Sequence, residues 1–567
     1  MQLTRALREC RHGVFAAFRA AFLALCLASL ANLPAIAAEH DELTIGIVQF
    51  PVMLNPNIEA VAAKSYVLGL TTRPFTVFDA DWKLVCLLCT ELPSFENGRA
   101  VKTQLPDGKT GVDLTYTIRA DAAWGDGVPV TTDDVKFTYE VGRNKNSAIS
   151  NAELYRRILS IDVKDDKTFT LHFDRLTYEY AAIDDFVLLP AHLERAAFAD
   201  PAQYRLRTLY GTDPTNPGLY NGPYRVAELA QGSHIVLEPN PHWAGPKPPF
   251  RRITIRAIEN SAALEANLLS GTIDMVAGEL GLPLDEALAF DKRRGGAFNI
   301  VYKPGLTFEH VDCNLAVPTL ADRKVREALL LGIDRDAIVN SLFAGRQAAA
   351  NSFVNPLDKG FTDSVPHHPF DPAKAQQLLE DAGWRLQPDG SRKNGDGKIL
   401  SFELTTTAGN RSRELVEQVL QSQWKKIGVE IRIHNEPARV LFGETVPHRR
   451  FELAMYAWSS APDNEPRSIF HSKEIPSADN AYSGQNAVGY DNPEMDRIID
   501  TLETELDPVK RQALWAEAQV LYAADLPSLP LYFRSDAFVL PKWLTGLRPT
   551  GNQYPSTLWV TDWSVKP

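Results

Sequence analysis

The sequence predicts an α/β protein that folds into two or more lobes, and three observations lead to this class. The chain has 567 residues, which is more than one hydrophobic core normally serves. β-branched runs of strand length alternate with helical apolar patterns along most of the chain, as in α/β folds. Around residues 211–223 the composition changes to Gly, Pro and Asn, which is typical of a chain crossing between domains.

The first forty residues have the composition of an export signal. Four arginines lie between residues 5 and 19, an apolar run covers 20–33, and residues 35–38 are Ala-Ile-Ala-Ala. These supply the basic, apolar and small-residue regions that a signal peptidase substrate needs. The apolar run is shorter than the roughly 20 residues of a membrane span. We therefore expect residues 1–37 to be a cleaved secretory signal, with a retained N-terminal anchor as the alternative.

The first half of the mature chain predicts strands, several of them paired as hairpins. Strand patterns occur at 43–48, 114–119, 161–163, 168–173, 224–229, 234–239 and 252–258. The turn Pro106-Asp107-Gly108-Lys109 makes 101–119 a hairpin. Thr131 to Asp134 supply capping residues for a helix, and residues 261–270 predict another helix that ends at Gly271.

The second half repeats the alternation of helices and strands. Helical spacing covers 325–333, 337–343, 413–427 and a segment that starts at Asp371-Pro372 and stops at Gly383. Strands are predicted at 400–405 and 429–433, and 453–458 is predicted to be a buried strand leading into a polar loop. Acidic helices such as 494–505 are expected to present solvated faces.

Composition and motifs argue against several functions. The net charge is -12 and no basic run is present, which disfavours nucleic-acid binding. The usual signatures of hydrolases, metalloproteases, P-loops and dinucleotide sites are absent, so we expect no enzyme, no cofactor and no metal site. Cys86 and Cys89 form a C-x-x-C motif. A local disulfide or two buried thiols is favoured over redox chemistry or half a zinc site, because no second ligand pair has suitable spacing.

A set of motifs, taken in order, resembles one known family. Residues 114–119 (LTYTIR), 124–130 (WGDGVPV) and 132–137 (TDDVKF) resemble the signature of the peptide-type extracellular solute-binding proteins, called family 5. Members of that family serve ABC importers for oligopeptides, dipeptides and nickel. Further segments match in the same order along the mature chain, at 221–224, 240–243, 325–335, 371–384 and 490–496.

The resemblance implies an α/β fold of the periplasmic-binding-protein type, with two lobes around a ligand cleft. Domain I would take 38–75, 218–305 and 530–567 in the first lobe. Domain II, an extra α/β domain inserted in that lobe, would take 76–217, with Trp124 packing one of its loops. Domain III, at 306–529, would form the second lobe. Such lobes close over the ligand by hinge bending.

The resemblance also indicates residues that could meet a ligand. In oligopeptide-binding relatives, a carboxylate after a Trp-containing strand holds the ammonium group of the peptide. The matching Trp is Trp458, unless it is a core residue, and the position of the acid holds Ala461 on a direct count. Counted back from Asn464-Glu465-Pro466, the nearest acid is Asp463. We therefore expect that the ammonium anchor is either shifted to Asp463 or absent. The other expected cleft residues are Asn464, Glu465, Tyr482, Gln485, Asn486, Phe50, Pro51, Phe308 and Asn314.

The implied function is that of the periplasmic substrate-binding component of an ABC transporter. We expect a monomer that captures peptides between its lobes and delivers them to an inner-membrane permease with its ATPase subunits. The altered loop at 461–463 leaves open a non-peptide solute, such as a metal chelate, a glycoside or an opine. A periplasmic hydrolase or chaperone with the same fold is the alternative from another class.

Overall fold

The protein is described by a computed structural model that covers residues 40–59, 61–480, 482 and 484–566. The expected signal at 1–37 lies outside these described residues. Within the described ranges, none of the helices combines the length and apolar character needed to cross a bilayer.

The strands are short except for two that run through the centre of the molecule. They are β1 Glu42–Ile47, β2 Thr76–Phe78, β3 Leu84–Cys86, β4 Ala100–Gln104, β5 Thr110–Thr117, β6 Ile158–Val163, β7 Thr168–Phe173, β8 Tyr224–Ala230, β9 His234–Pro239, β10 Arg252–Ala257, β11 Met275–Val276, β12 Phe298–Cys313, β13 Ala348–Ala349, β14 Arg385–Leu386, β15 Arg392–Lys393, β16 Ser401–Thr405, β17 Glu430–Ile433, β18 Leu453–Trp458, β19 Ser528–Pro541, β20 Leu544–Thr545 and β21 Ser564–Val565.

The described residues also form eleven α-helices of six residues or more. They are α1 Ala62–Thr71, α2 Thr132–Arg143, α3 Ala152–Arg157, α4 Ser261–Leu269, α5 Leu284–Arg294, α6 Arg323–Leu331, α7 Arg335–Phe343, α8 Pro372–Asp381, α9 Arg411–Lys426, α10 Pro493–Thr504 and α11 Pro508–Asp525.

One eleven-stranded mixed sheet runs through most of the molecule. Its order is β17-β16-β18-β12-β19-β11-β1-β10-β9-β8, and β13 also pairs with β19. β12 and β19 are antiparallel, and their ladder reaches from Phe298 opposite Pro541 to Asp312 opposite Ser528. The register shifts between Pro304 and Phe308, so the ladder is interrupted at residues 305–307. An irregularity of this kind bends a strand and increases its twist.

Domain II, as assigned from the sequence, contains a separate four-stranded sheet of order β4-β5-β7-β6. Its core includes Phe75, Trp124 and Phe169. The Trp124 indole is fully buried and donates a hydrogen bond to the Asp134 carboxylate at 3.2 Å, so it packs the loop as expected. Cys86 and Cys89 form a disulfide, one of the two structural arrangements that the sequence favours.

Local sequence signals account for many of the elements. The expected hairpins at 101–119 and 161–173 form β4–β5 and β6–β7. Helix α2 begins after Thr131, whose side chain accepts a hydrogen bond from the Asp133 backbone while Asp134 bonds back to the Thr131 backbone, a capping box. Helix α8 begins after Asp371, whose side chain accepts a hydrogen bond from the Lys374 backbone.

Candidate functional site

The carboxyl ends of two parallel strands of the first lobe lie side by side. β1 pairs with β11 in parallel, so the loops that follow them leave the same edge of the sheet. The backbone N–H of Val48, in the first loop, donates to the Leu280 carbonyl, in the second, at 2.9 Å. Phe50 packs on the core of this lobe and Pro51 is buried. In open α/β sheets, ligands bind in the crevice at such an edge.

Glu279, in the loop after β11, places a carboxylate at this edge. Its Oε1 accepts a hydrogen bond from the Ser556 backbone at 2.8 Å, whereas Oε2 is buried and accepts none. Burial, followed by the charge of Asp536, raises the pKa of Glu279 to about 7. The Tyr66 hydroxyl, which lies within electrostatic reach of Glu279, is also buried without a hydrogen-bond partner. The Glu279 and Tyr66 side chains thus each hold a buried polar atom without a partner at this edge.

Asp463 lies in the polar loop after β18, where the sequence places the ammonium anchor. Its Oδ1 accepts hydrogen bonds from Nη2 of Arg511 at 3.1 Å and from the Trp515 indole at 3.1 Å. Its backbone N–H donates to the Asp358 carboxylate at 2.9 Å, and its φ is +56°. Asp463 is thus part of the internal structure of the second lobe. It differs from the free carboxylate expected for an anchor.

Four other acids are linked in pairs by their charges: Glu179 interacts with Glu465 and Asp184, and Asp185 interacts with Asp184. We call Glu179, Asp184, Asp185 and Glu465 the acidic cluster. Burial raises the pKa of the Glu179 carboxyl well above its usual range. The charges of Glu465 and Asp184 raise it further. Burial also raises the pKa of Glu465. Glu179 follows β7, whereas Glu465 follows β18, so the cluster joins two segments that are far apart in the chain.

Asp184 and Asp185 are adjacent in the cluster, and the side chain of each accepts a hydrogen bond from one neutral group. The Tyr554 hydroxyl donates to Asp184, and the Asn151 amide donates to Asp185. Burial, followed by the charge of Asp184, raises the pKa of Asp185 to about 7. Glu179, Asp184 and Glu465 are partly exposed and Asp185 is exposed, although burial is the main cause of their pKa shifts. We interpret this as the environment of an enclosed cleft that still admits water.

The segment after β7 touches helices α10 and α11 beside the acidic cluster. The Tyr178 backbone N–H donates to the Glu503 carbonyl at 2.9 Å, and the Arg511 guanidinium lies 4.0 Å from the centre of the Tyr178 ring. The Glu503 carboxylate, only 3% exposed, pairs with Arg467 at 2.7 Å and Arg175 at 3.4 Å. Helix α10 was expected to have a solvated acidic face. That expectation is wrong for Glu503, because Arg467 and Arg175 converge on it.

Three of the expected cleft residues come together at a second place. Phe308, Trp458 and Gln485 line a small cavity open to solvent, together with His310 and Asp312. Phe308 and Trp458 face each other across the β12–β18 ladder. Trp458 is partly exposed and packs edge-on against Tyr456.

The remaining expected residues divide into structural and exposed positions. Asn314 donates to the carbonyls of Arg449 and Phe451, so its side chain fixes the loop before β18. Asn486 is fully buried and donates to the carbonyls of His471 and Tyr490. Asn464 is exposed, and the exposed Tyr482 packs on the His448 ring at 4.2 Å between centroids. The structure does not bring these four side chains into the acidic cluster.

The sequence predicted Glu465 as a cleft residue. It did not predict the other three acids of the cluster, Glu179, Asp184 and Asp185, or Glu279. The signal for three of them is the segment Tyr178-Glu-Tyr-Ala-Ala-Ile-Asp-Asp185, where three acids occur among apolar and aromatic residues without helical or strand periodicity. No group of three or more His, Cys, Asp or Glu side chains in the described part of the chain has an arrangement suited to a metal ion.

Comparison with known proteins identifies the class to which this fold and cleft belong. The family model described as bacterial extracellular solute-binding proteins, family 5, middle, matches residues 96–476. A structure of an oligopeptide-binding protein from Thermus thermophilus, complexed with a pentapeptide, is 30% identical with a TM-score of 0.82. The alignment covers 93% of this chain and 96% of that one. The chain therefore belongs to the family 5 extracellular solute-binding proteins, with their two-lobed α/β fold.

One further relative and one further structure are similar to this chain. The oligopeptide-binding protein AppA of Bacillus subtilis is 27% identical over 487 residues, which cover 84% of this chain and 86% of that protein. NikZ from Campylobacter jejuni, in complex with Ni(L-His), has a TM-score of 0.77 at 23% identity and covers 92% of this chain and 99% of its own. NikZ shares the fold.

Proposed function

We propose that the protein captures peptides with a free N-terminal ammonium group between its lobes and delivers them to an ABC permease in the inner membrane. The observation that carries this proposal is the acidic cluster, to which domain II contributes three acids and the second lobe contributes Glu465. A cation bound there would touch both lobes, and only such a ligand stabilises the closed arrangement.

The electrostatics of the cluster favour a cationic ligand. Burial and mutual repulsion raise the pKa values of Glu179 and Asp185, so their ionised forms are disfavoured in the closed protein. An ammonium group reverses this effect, because it attracts the carboxylates and donates charge-assisted hydrogen bonds inside a cleft where water screens poorly.

The strand beside the cluster offers main-chain groups to an extended ligand. The β16–β18 ladder covers only Leu453 and Ala454 of β18, and the Thr406 hydroxyl donates to the Met455 carbonyl at 2.7 Å, so the outer edge from Tyr456 to Trp458 is not paired with β16. An extended peptide could add to this edge by β-augmentation, which uses the same backbone groups for every sequence. The Thermus thermophilus relative, solved with a pentapeptide, supports a ligand of this class.

Within this proposal Glu465 takes the anchoring role and Asp463 positions its loop. Glu465 lies two residues beyond Asp463 in the same loop and faces Glu179 of domain II. The carboxylate of Asp463 is already engaged by Arg511 and Trp515. The one-residue difference between the two ways of counting from Trp458 is consistent with an anchor displaced along this loop.

The remaining parts of the proposal follow from the family and the sequence. The three-domain division at 76–217 and 306–529 is supported by the separate sheet of domain II. Export by a cleaved signal at 1–37 is supported by the composition of that segment and by the extracellular family. We further propose that the protein is monomeric and carries out no catalysis.

Mass spectrometry of whatever copurifies from the periplasm, followed by calorimetry with the peptides found, tests the proposal. Glu465→Gln should weaken binding of free-amine peptides at least about tenfold, as expected for a lost charge-assisted contact, and N-acetylated peptides less than about twofold. Glu517→Gln, at an exposed position of α11, is the matched control. Equal losses for both peptide types would remove Glu465 from the anchoring role. Copurification of a non-peptide solute alone would overturn the peptide assignment.

A further inference from the structure

A second pocket lies between domains I and II, away from the second lobe. It is a small pocket that opens to solvent, and none of its lining residues falls within 306–529. Its walls include Arg73, Asn221 and Trp243 from domain I, and Leu88 and Arg119 from domain II. The acidic cluster contributes nothing to it.

Arg73 places a buried positive charge in this pocket. The residue is 3% exposed, and its guanidinium lies 5.1 Å from the centre of the Trp243 ring. Nη1 donates to the carbonyls of Gly69 and Thr72, at the end of α1, at 2.9 and 3.0 Å. The hydrogen bonds of the Arg73 side chain to described residues all come from Nη1, so Nε and Nη2 are left to face the pocket. The guanidinium therefore keeps two donors for a group that enters the pocket.

Asn221 adds a third unused donor. The side chain is 5% exposed, and its Oδ1 accepts a hydrogen bond from the Arg73 backbone N–H at 2.8 Å. This contact fixes the amide orientation, so that Nδ2 is the free end. Nδ2 is fully buried and has no hydrogen-bond partner among the described residues. Buried donors are nearly always satisfied in proteins, so a missing acceptor is the simplest explanation.

The other charges around the pocket largely balance one another. Arg119 pairs with Asp121 at 3.0 Å, and both side chains are well exposed. Asp562 acts on Arg73 only at long range, outside ion-pair distance. His242 lines the same wall as Trp243. The guanidinium of Arg73 is the one deeply buried charge among these lining residues, and it is positive at any physiological pH.

We propose that this pocket binds a small oxyanion, of the size of sulfate, phosphate or a carboxylate. The two free donors of Arg73 form the planar fork that matches a pair of oxyanion oxygens, and Nδ2 of Asn221 supplies a third hydrogen bond. Because the walls come from domains I and II, the anion ties the two parts of the first lobe together. Its binding is independent of a ligand in the cleft between the lobes.

Equilibrium dialysis of the mature protein with radiolabelled sulfate or phosphate, at constant ionic strength in sodium chloride, tests this site. We expect saturable binding of one anion per chain with a dissociation constant of about 1 mM or lower. An acetate arm shows whether a free carboxylate competes. Bound anion should also raise the melting temperature in a concentration-dependent way.

Asn221→Asp is the sharpest variant, because it keeps the acceptor for the Arg73 N–H and replaces the free donor with a negative charge. It should weaken anion binding at least about tenfold, as expected when a charge-assisted donor becomes a like charge. Asn299→Asp, at an exposed position of β12, is the control for the added charge and should bind normally.

Arg73→Lys provides a second variant that keeps the charge and removes the fork, and it should bind several-fold more weakly. Absence of saturable binding in the wild type would overturn the proposal. The proposal is equally overturned if both pocket variants bind like the wild type, or if Asn299→Asp weakens binding as much as they do. If Asn221→Asp does not fold, the comparison of Arg73→Lys with the wild type decides.

Discussion

Glu279→Gln replaces one oxygen of the carboxyl in the loop after β11 by an amide nitrogen. It tests whether burial raises the pKa of Glu279 and so makes stability depend on pH. The glutamine keeps an oxygen to accept the Ser556 backbone hydrogen bond of 2.8 Å. Its amide replaces Oε2, which is buried and accepts no hydrogen bond. The substitution therefore removes the ionised form of the side chain and conserves its shape and its one hydrogen bond.

The expected effect depends on pH, with a sign fixed by the raised pKa. Burial, then the charge of Asp536, raises the pKa of Glu279 to about 7 in the folded protein, against about 4.3 when unfolded. Between these values the folded state holds a proton that the unfolded state has released. Stability therefore falls as pH rises from about 4.3 to about 7, and is level above that. The shift corresponds to roughly 3.5 kcal/mol, and to about 2 kcal/mol after allowance for the partial exposure of the side chain.

Urea denaturation at pH 4.5 and pH 8 measures this contribution. We expect Glu279→Gln to stabilise the protein by about 2 kcal/mol at pH 8 and to change it little at pH 4.5. Glu228→Gln, whose side chain is 62% exposed, is the control and should have little effect at either pH. A variant that is no more stable at pH 8 than at pH 4.5, relative to the wild type, would refute the reasoning.

Two further substitutions test contacts described above. Glu503→Gln should lower the free energy of unfolding by about 3 kcal/mol, because it leaves the arginine charges around it without their partner. The exposed Glu517→Gln is the control and should cost less than about 0.5 kcal/mol in the same urea titration. Equal losses would show that the Glu503 network adds nothing. Thr131→Ala should cost about 1 kcal/mol by removing the capping box of α2, measured by the same method, and an unchanged midpoint would contradict that role.

Local sequence signals predicted much of the fold. The turn Pro106–Lys109, the caps Thr131 and Asp371, and the stop at Gly383 act over a few residues, so each can be read from its own neighbourhood. Gly383 has a φ of +87°, a conformation that glycine adopts without steric cost. The ordered motifs then supplied the family, which the comparisons confirm.

The candidate site was harder to predict because its groups come from distant segments. Glu179 and Glu465 meet only when domain II reaches the second lobe, and nothing in either local sequence indicates the other. Asp463 shows the same limit, since its partner Arg511 lies in a later helix. Glu503 belongs to an acidic helix whose other charges are mostly exposed, so its burial depends on arginines that the helix does not contain.

The central pair of strands has a consequence for how the chain folds. β12 and β19 pair residues that are more than two hundred positions apart in sequence, from Phe298 opposite Pro541 to Asp312 opposite Ser528. Closing so long a loop is entropically costly, and contacts at such separation form slowly. This ladder cannot form until almost the whole chain is available, whereas the hairpins β4–β5 and β8–β9 can form early. We therefore expect the two lobes to be joined late in folding, after much of domain II has its structure.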